Sequence, residues 1–312
     1  MRVCEAAGTN RANTLGILFG STDGGLRWER QVLPPGISQI SSVVCPSVIT
    51  CEAVGFAKSS GTALRTTNGG HTWLAQKLTP GTTVGAISCP TVSVCEAVGD
   101  NGALRTTTGG MAWTAQGVPS VAYNLAGIDC SRVLTCEAFG SSSGFNPVGV
   151  VIGTNNGGAT WRAQHIPTKQ SPAAISCPSP TTCEIALSAP FFGGPASGQA
   201  LRTTDGGLTW VQQRIVDGVI ASGISCPALG TCEAVGGTAI SYVAVRSTDG
   251  GATWNLRALF GPSISKTLEA QDVACPALDT CVLVGSLVSG RSSVAVTART
   301  TDGGKKWSIN LP

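Results

Sequence analysis

Seven copies of one short phrase, each closed by a tryptophan, constrain this chain more than any other feature. They read STDGGLRW from Ser21, TTNGGHTW from Thr66, TTTGGMAW from Thr106, TNNGGATW from Thr154, TTDGGLTW from Thr203, STDGGATW from Ser247 and TTDGGKKW from Thr300. The chain has seven tryptophans, and each one ends a copy. Self-similarity at a fixed period means an array of one supersecondary unit whose copies bury a shared core.

The stretch 86–116 shows the content of one unit. Ala86–Cys89 is a short β-prone run, followed by a proline-led turn. Cys95–Gly99 alternates apolar and polar residues, as a half-buried strand does. Ala103–Thr107 reads as a third strand, and a Gly-Gly turn leads into a fourth. Four strands per 40–53 residues, the spacing between successive tryptophans, is the content of one β-propeller blade. No segment carries a 3.6-residue period. The expectation is an all-β, seven-bladed β-propeller of four-stranded antiparallel blades. It forms a single domain over 1–312, with blades ending near Trp28, Trp73, Trp113, Trp161, Trp210, Trp254 and Trp307.

Twelve of the thirteen cysteines form C-x5-C pairs at one place in the repeat: Cys45/Cys51, Cys89/Cys95, Cys130/Cys136, Cys177/Cys183, Cys226/Cys232 and Cys275/Cys281. Such regularity predicts hairpin disulfides and an oxidising compartment. Reduced core thiols and metal binding are the other readings. Zinc sites favour C-x2-4-C spacing with further ligands, and the chain has only His71 and His165. Cys4 stands where the second cysteine of a pair stands elsewhere, so its partner is expected six residues upstream, ahead of Met1. A missing first strand and export signal would lie there too, leaving the first blade incomplete. The other reading of Cys4 is a single thiol.

The full form of the phrase, S/T-x-D-x-G-x-T-W, is carried by Thr203, Asp205, Gly207, Thr209 and Trp210, and again by Ser247, Asp249, Gly251, Thr253 and Trp254. It resembles the Asp-box, or BNR repeat, of sialidase-like propellers. The copy at Thr106 has Thr108 and Ala112 in place of the acid and the hydroxyl residue. The longer pattern AVG…G-x-L-R-T-T-D-G-G-x-T-W is similar to propellers related to photosystem II assembly and stability factors. The cysteine pairs resemble a secreted bacterial branch. In this resemblance the phrase is a fold staple placed away from any active site. Its acid bonds turn amides, its glycine takes an unusual backbone angle, and its tryptophan fills the wedge between sheets.

Alternating strand directions put all cysteine turns and all Gly-Gly turns at one end of the blades. Glu5, Glu52, Glu96, Glu137, Glu184 and Glu233 follow the second cysteine; Arg65, Arg105, Arg202, Arg246 and Arg299 precede the phrase. Antiparallel pairing then makes cross-strand partners of Glu52–Arg65, Glu96–Arg105, Glu184–Arg202 and Glu233–Arg246. These are either exposed ladder pairs or a charged ring that binds something. The loop-bearing end collects aromatics: Phe56, Tyr123, Phe145, Phe191, Phe192, Tyr242 and Phe260. They are either lids on the core or a contact surface for a protein or sugar.

Hydrolytic chemistry has few candidates. Tyr123 and Tyr242 are the only tyrosines; the acids outside the repeat on the loop-bearing end are Asp100, Asp217, Glu269 and Asp272, and Asp129 departs from the repeat near the cysteine-bearing end. A net charge of +3 without a basic run gives no reason to expect nucleic acid. No apolar run reaches the roughly 20 residues of a spanning helix, and no cofactor or metal site is expected. The function expected is that of a secreted, non-enzymatic propeller binding a protein or a cell-surface glycan. The alternatives are a sialidase-like glycoside hydrolase and an assembly factor of photosystem II type.

Overall fold

The computed structural model describes residues 3–10, 12, 14–58, 60–76, 78, 82–100, 102–188, 197–238, 241–260, 267–289 and 292–310. They form seven antiparallel sheets, the all-β architecture of a seven-bladed propeller. The first sheet has three strands, β1 (Cys4–Thr9), β2 (Gly16–Ser21) and β3 (Glu29–Arg30). The second has β4 (Ile37–Val44), β5 (Cys51–Ala57), β6 (Ser60–Thr66) and β7 (Leu74–Gln76). The third has β8 (Ala86–Ser88), β9 (Cys95–Gly99), β10 (Gly102–Thr106) and β11 (Thr114–Gln116). The fourth has β12 (Asn124–Arg132), β13 (Thr135–Ser141), β14 (Gly149–Thr154) and β15 (Arg162–Gln164). The fifth has β16 (Pro172–Ser176), β17 (Cys183–Leu187), β18 (Ser197–Thr203) and β19 (Val211–Asp217). The sixth has β20 (Ile220–Ala228), β21 (Thr231–Gly237), β22 (Tyr242–Ser247) and β23 (Asn255–Phe260). The seventh has β24 (Thr267–Ala277), β25 (Thr280–Ser289), β26 (Ser292–Thr300) and β27 (Ser308–Asn310). Strands follow chain order within every sheet.

Contacts group the chain into two units, Met1–Ala163 and Gln164–Pro312. In the first, each apolar cluster joins one face of a sheet to the facing side of the next. Val54 and Ala63 of the second sheet pack with Val84, Ile87, Ala97 and Leu104 of the third. Val98 and Ala103 pack with Leu125, Ile128, Ile152 and Trp161 of the fourth. In the second unit, Ala186 and Ala200 meet Ile224, Val245 and Trp254, and Val235 and Ala244 meet Leu268, Val273 and Leu283. Small residues on one side and branched ones on the other let the sheets approach closely.

This packing corrects one expectation. The C-E-A-V-G strand alternates in sequence, yet β9, β17 and the Cys-to-Gly core of β21 are buried at every position. Both faces are covered by neighbouring sheets, so the polar position has no wet side. Serine of the I-S-C pattern adds a bond between inner strands: Ser88 accepts the Cys130 amide, and Ser176 and Ser225 accept those of Cys226 and Cys275, each at 3.0 Å.

The glycine ending the second strand has a steric reason. A Cβ on Gly236 would overlap the Ile220 carbonyl oxygen, where β20 bulges between Ala221 and Gly223. Gly236→Ala is expected to destabilise the chain by about 2–3 kcal/mol, the cost of overpacking against backbone that cannot retreat. A urea midpoint measures it. Gly8 holds the same place in the three-stranded sheet, and a Cβ there meets nothing within 4 Å. Gly8→Ala should leave the midpoint in place.

Candidate functional site

In six of the seven sheets one end is built from two turns bolted together. All six expected disulfides form: Cys45–Cys51, Cys89–Cys95, Cys130–Cys136, Cys177–Cys183, Cys226–Cys232 and Cys275–Cys281. Cys4 is in none of them. The Gly-Gly turn of the same sheet donates a backbone N–H into each cysteine turn. Gly109 bonds Ser93 O, Gly157 bonds Leu134 O, Gly206 bonds Thr181 O and Gly250 bonds Gly230 O, all at 2.9 Å. Both glycines of these turns have positive φ, for example 71° at Gly206 and 80° at Gly207, a region that side chains disfavour.

The acid of the phrase organises its turn. Asp205 Oδ1 accepts from Thr203 Oγ1 at 2.8 Å and from Thr209 N at 2.9 Å, and Gly207 N donates to Thr203 Oγ1. Hydrogen bonds from Thr209, side chain first and then backbone, hold the Asp205 carboxyl down at about 2. In the third sheet a hydroxyl does the same work: Ala112 N donates to Thr108 Oγ1 at 3.0 Å. The turn therefore survives loss of the acid.

The expected Glu–Arg registers are all present: Glu52↔Arg65, Glu96↔Arg105, Glu184↔Arg202 and Glu233↔Arg246. Their environment is not the exposed ladder considered above. All four glutamates are at most 1% exposed. Arg65 pairs with Glu52 at 2.5 Å and Arg202 with Glu184 at 2.8 Å; Arg105 binds Glu96, and Arg246 lies 3.6 Å from Glu233. Each arginine also reaches forward to the cysteine turn of the following sheet. Arg65 and Arg105 donate to Val92 O and Val133 O at 3.0 Å, Arg202 to Leu229 O at 3.4 Å and Arg246 to Leu278 O at 2.6 Å. Burial pushes Glu52 and Glu96 up to about 7 and Glu184 and Glu233 up to about 8, against the pull of their arginines. Charge here ties sheet to sheet.

A second set of ties was missed from the sequence. Glutamine stands three residues after five of the tryptophans, at Gln31, Gln76, Gln116, Gln164 and Gln213. Gln31, Gln76 and Gln116 accept the indole N–H of Trp73, Trp113 and Trp161 at 2.6, 3.1 and 3.0 Å. Within the second unit Gln164 accepts that of Trp210 at 2.8 Å. Gln76 and Gln116 also donate to the Gly-Gly turn of the following sheet, at Gly109 O (3.3 Å) and Gly157 O (2.9 Å). The W-x-x-Q spacing was legible and would have found them. The same end exposes aliphatic tips on its cysteine turns, Ile49, Val92, Leu134, Leu229 and Leu278, also unforeseen.

The opposite end carries the aromatic candidates. In the fourth sheet, loop 142–148 is closed at its base by Ser142 N to Val148 O at 3.0 Å and Val148 N to Ser142 Oγ at 3.1 Å. Gly144, with φ 108°, turns the chain at the tip. Phe145 follows and is fully exposed, at 104%. Tyr123, in the connection leading into β12, donates its N–H to Ser141 O beside that base. Tyr123, Val121 and Val148 are 48%, 42% and 39% exposed, so this end of the fourth sheet presents further apolar side chains to solvent. Phe56 is half-buried at the end of β5, and Tyr242 is half-buried against the core of the seventh sheet. Phe191 and Phe192 lie outside the described residues, as does the Phe260 side chain, whose backbone pairs with Tyr242.

Among the acids, Asp217 is exposed and ion-paired to Arg214. Asp100 pairs with Asn124 in an isolated bridge, and Asp129 lies 3.5 Å from Ser88 Oγ. Asp272, on β24, reaches solvent, but protein crowded around it lifts its carboxyl to about 6, opposed by its bond from Val273 N. Burial and then the charge of Glu269 raise the Tyr242 phenol, so folding brings this tyrosine and this acid within electrostatic reach. His71 and His165 are exposed.

No protein-family model matches the chain, and no curated protein matches it. Solved structures do. YCF48 bound to D1 peptide is 18% identical with TM-score 0.64, over 89% of this chain and 82% of that one. YCF48 from Cyanidioschyzon merolae is 16% identical with TM-score 0.63, over 91% of this chain and 96% of that one. The GH74 enzyme from Niastella koreensis is 14% identical with TM-score 0.64; the match spans 95% of this chain and 63% of that one. At these identities the likeness establishes the propeller fold alone.

Proposed function

We propose that this chain is a non-enzymatic binding propeller, one domain over 1–312, whose contact surface is the loop-bearing end and whose ligand is a protein segment or a cell-surface glycan. A single observation carries the reading: Phe145, held near the tip of a loop closed at its base, with its whole ring in water. A large aromatic side chain kept out of every core is the kind of anchor that interaction sites use. A bound peptide on a propeller of the same fold supports the class of ligand. Six disulfides support an extracellular or cell-envelope setting. The repeated phrase is read as an Asp-box of the sialidase-like kind, serving the fold.

The test is a displayed-peptide library and a glycan array, run with the wild type and with Phe145→Ala/Tyr123→Ala. Ligands found with the wild type should lose at least tenfold in affinity in the double variant, while the melting temperature stays constant. Ligands indifferent to both substitutions would overturn the reading. The charge of Glu269 acting on the Tyr242 phenol favours one second reading, glycoside hydrolysis. Turnover of a fluorogenic glycoside panel that disappears in Tyr242→Phe would establish it instead.

A further inference from the structure

The arginine and glutamine ties recur from sheet to sheet, but the residues over them change. Between the second and third sheets a cavity of about 320 Å³ opens above the tie, with Arg65, Gln76, Gly109 and Gly110 in its lining. That volume is at the lower end of small-ligand sites, roughly 300–1,000 Å³. Its mouth takes one long apolar side chain from each sheet: Leu74, the residue after Trp73, and Met111, the residue after Gly110. They are 71% and 86% exposed. The equivalent pairs in the repeat are Glu29 with His71, Thr114 with Ala159, Val211 with Ala252 and Asn255 with Lys305. None of these matches two long apolar residues. The turns beside the cavity also lack the acid, because Asn68 and Thr108 stand where the full phrase has Asp205 and Asp249.

Such a cavity suits an aromatic ring. An apolar cavity of about 150 Å³ already accepts benzene. Methionine sulfur makes favourable contacts with rings, and a guanidinium such as that of Arg65 attracts a ring face. The chain carries one ring placed to enter it. Phe145 is 104% exposed on loop 142–148, and that loop has no charged residue to strip of water. The loop joins β13 to β14 at the end of the fourth sheet away from its Gly-Gly turn, whereas the cavity lies at the Gly-Gly turn of the third. Both belong to the unit Met1–Ala163.

We propose that Phe145 of one copy seats in the Leu74–Met111 cavity of a second copy, so that the protein self-associates head to tail. The inference rests on the reading of Phe145 as a contact residue and names the surface that receives it. Ring and seat lie at opposite ends of the sheets, so two copies cannot fill each other's seats at once. The contact is heterologous, and each added copy leaves a ring and a seat open for the next. One aromatic side chain buries only about 150–250 Å², far below the roughly 1,200 Å² of a stable interface. Association is therefore weak, reversible and dependent on concentration.

Sedimentation velocity of the chain at rising concentration is the test. The average mass of the wild type should climb reversibly above that of one copy. Phe145→Ala removes the ring, and Leu74→Thr/Met111→Ala gives the mouth the residues found at Thr114 and Ala159. Each variant should associate at least tenfold more weakly, with an unchanged melting temperature, because these side chains stand mostly in water. Mixing the two variants leaves one ring and one seat that can meet, so the mixture should form pairs that do not grow. A wild type that stays single at its highest soluble concentration overturns the proposal. So does association that survives either variant, or a mixture that forms no pairs. A single wild-type chain whose array ligands still depend on Phe145 would end this inference and leave the reading of the loop in place. Self-association that needs Phe145, with array ligands indifferent to it, would do the reverse.

Discussion

Reduction of the six disulfides is expected to lower the unfolding free energy by roughly 10 kcal/mol, enough to unfold the chain at room temperature. Each bridge joins cysteines six residues apart. Closing a loop that short in the unfolded chain is worth about 2 kcal/mol in the chain-entropy model, and native domains are stable by only about 5–15 kcal/mol. Titration of the denatured protein should find one thiol before reduction and thirteen after, from the thirteen cysteines of the sequence. Far-ultraviolet circular dichroism of the reduced and alkylated chain should show loss of the sheet signal. A reduced chain that melts within a few degrees of the oxidised one would refute the account. The effect of a single bridge should spread to its neighbour. Removal of Cys226–Cys232 loosens the turn whose Leu229 carbonyl receives Arg202, so combining it with Arg202→Ala should cost less than the sum of the two.

Arg202→Ala should destabilise the chain by about 3–5 kcal/mol near pH 8, the cost of leaving a buried acid without its partner. At pH 5 the cost should be smaller, because burial favours the neutral form of Glu184, whose carboxyl sits at about 8. Glu184→Gln should be far milder than Arg202→Ala at either pH. The wild-type profile follows from linkage. Glu5, Glu52, Glu96, Glu184 and Glu233 hold their protons more tightly folded than unfolded, with values of about 7 to 8 against 4.5. Their contribution is fully present below about 4.5 and is lost as the pH rises through 7 to 8. Asp205 and Asp249 act in the other sense, since values of about 2 against 3.8 make their contribution fade only as the pH falls toward 2. Melting temperature should peak near pH 4–5 and decline toward pH 8. A flat or rising profile over pH 5–8 would contradict it, and Glu184→Gln should flatten the decline.

Much of the fold was legible because it rests on local, repeated patterns. The tryptophan phrase yields the sheets, C-x5-C yields the bridges, and antiparallel counting places Glu96 opposite Arg105 and Glu137 opposite Gly153. Burial was not legible. Period-two alternation assumes one wet face, and the two neighbours that cover Glu96 on both faces are set by packing between units of the repeat. Of the proposed contact residues, one was legible by contrast with its neighbours. Phe145 stands out as an aromatic among serines, glycine and asparagine, and it is exposed. Tyr242 and Glu269 are 27 residues apart in sequence, and the charge of Glu269 reaches the Tyr242 phenol only through the fold, which no local pattern encodes.

The bonds that join one sheet to the next have a fixed sense. Arginine of the earlier sheet reaches forward to the later cysteine turn, and tryptophan of the later sheet reaches back to the earlier glutamine. A finished sheet therefore displays both halves of its latch before its successor exists. During synthesis each new hairpin pair emerges next to a template that is already complete. The chain can assemble vectorially, one module docking on the last, without waiting for its far end.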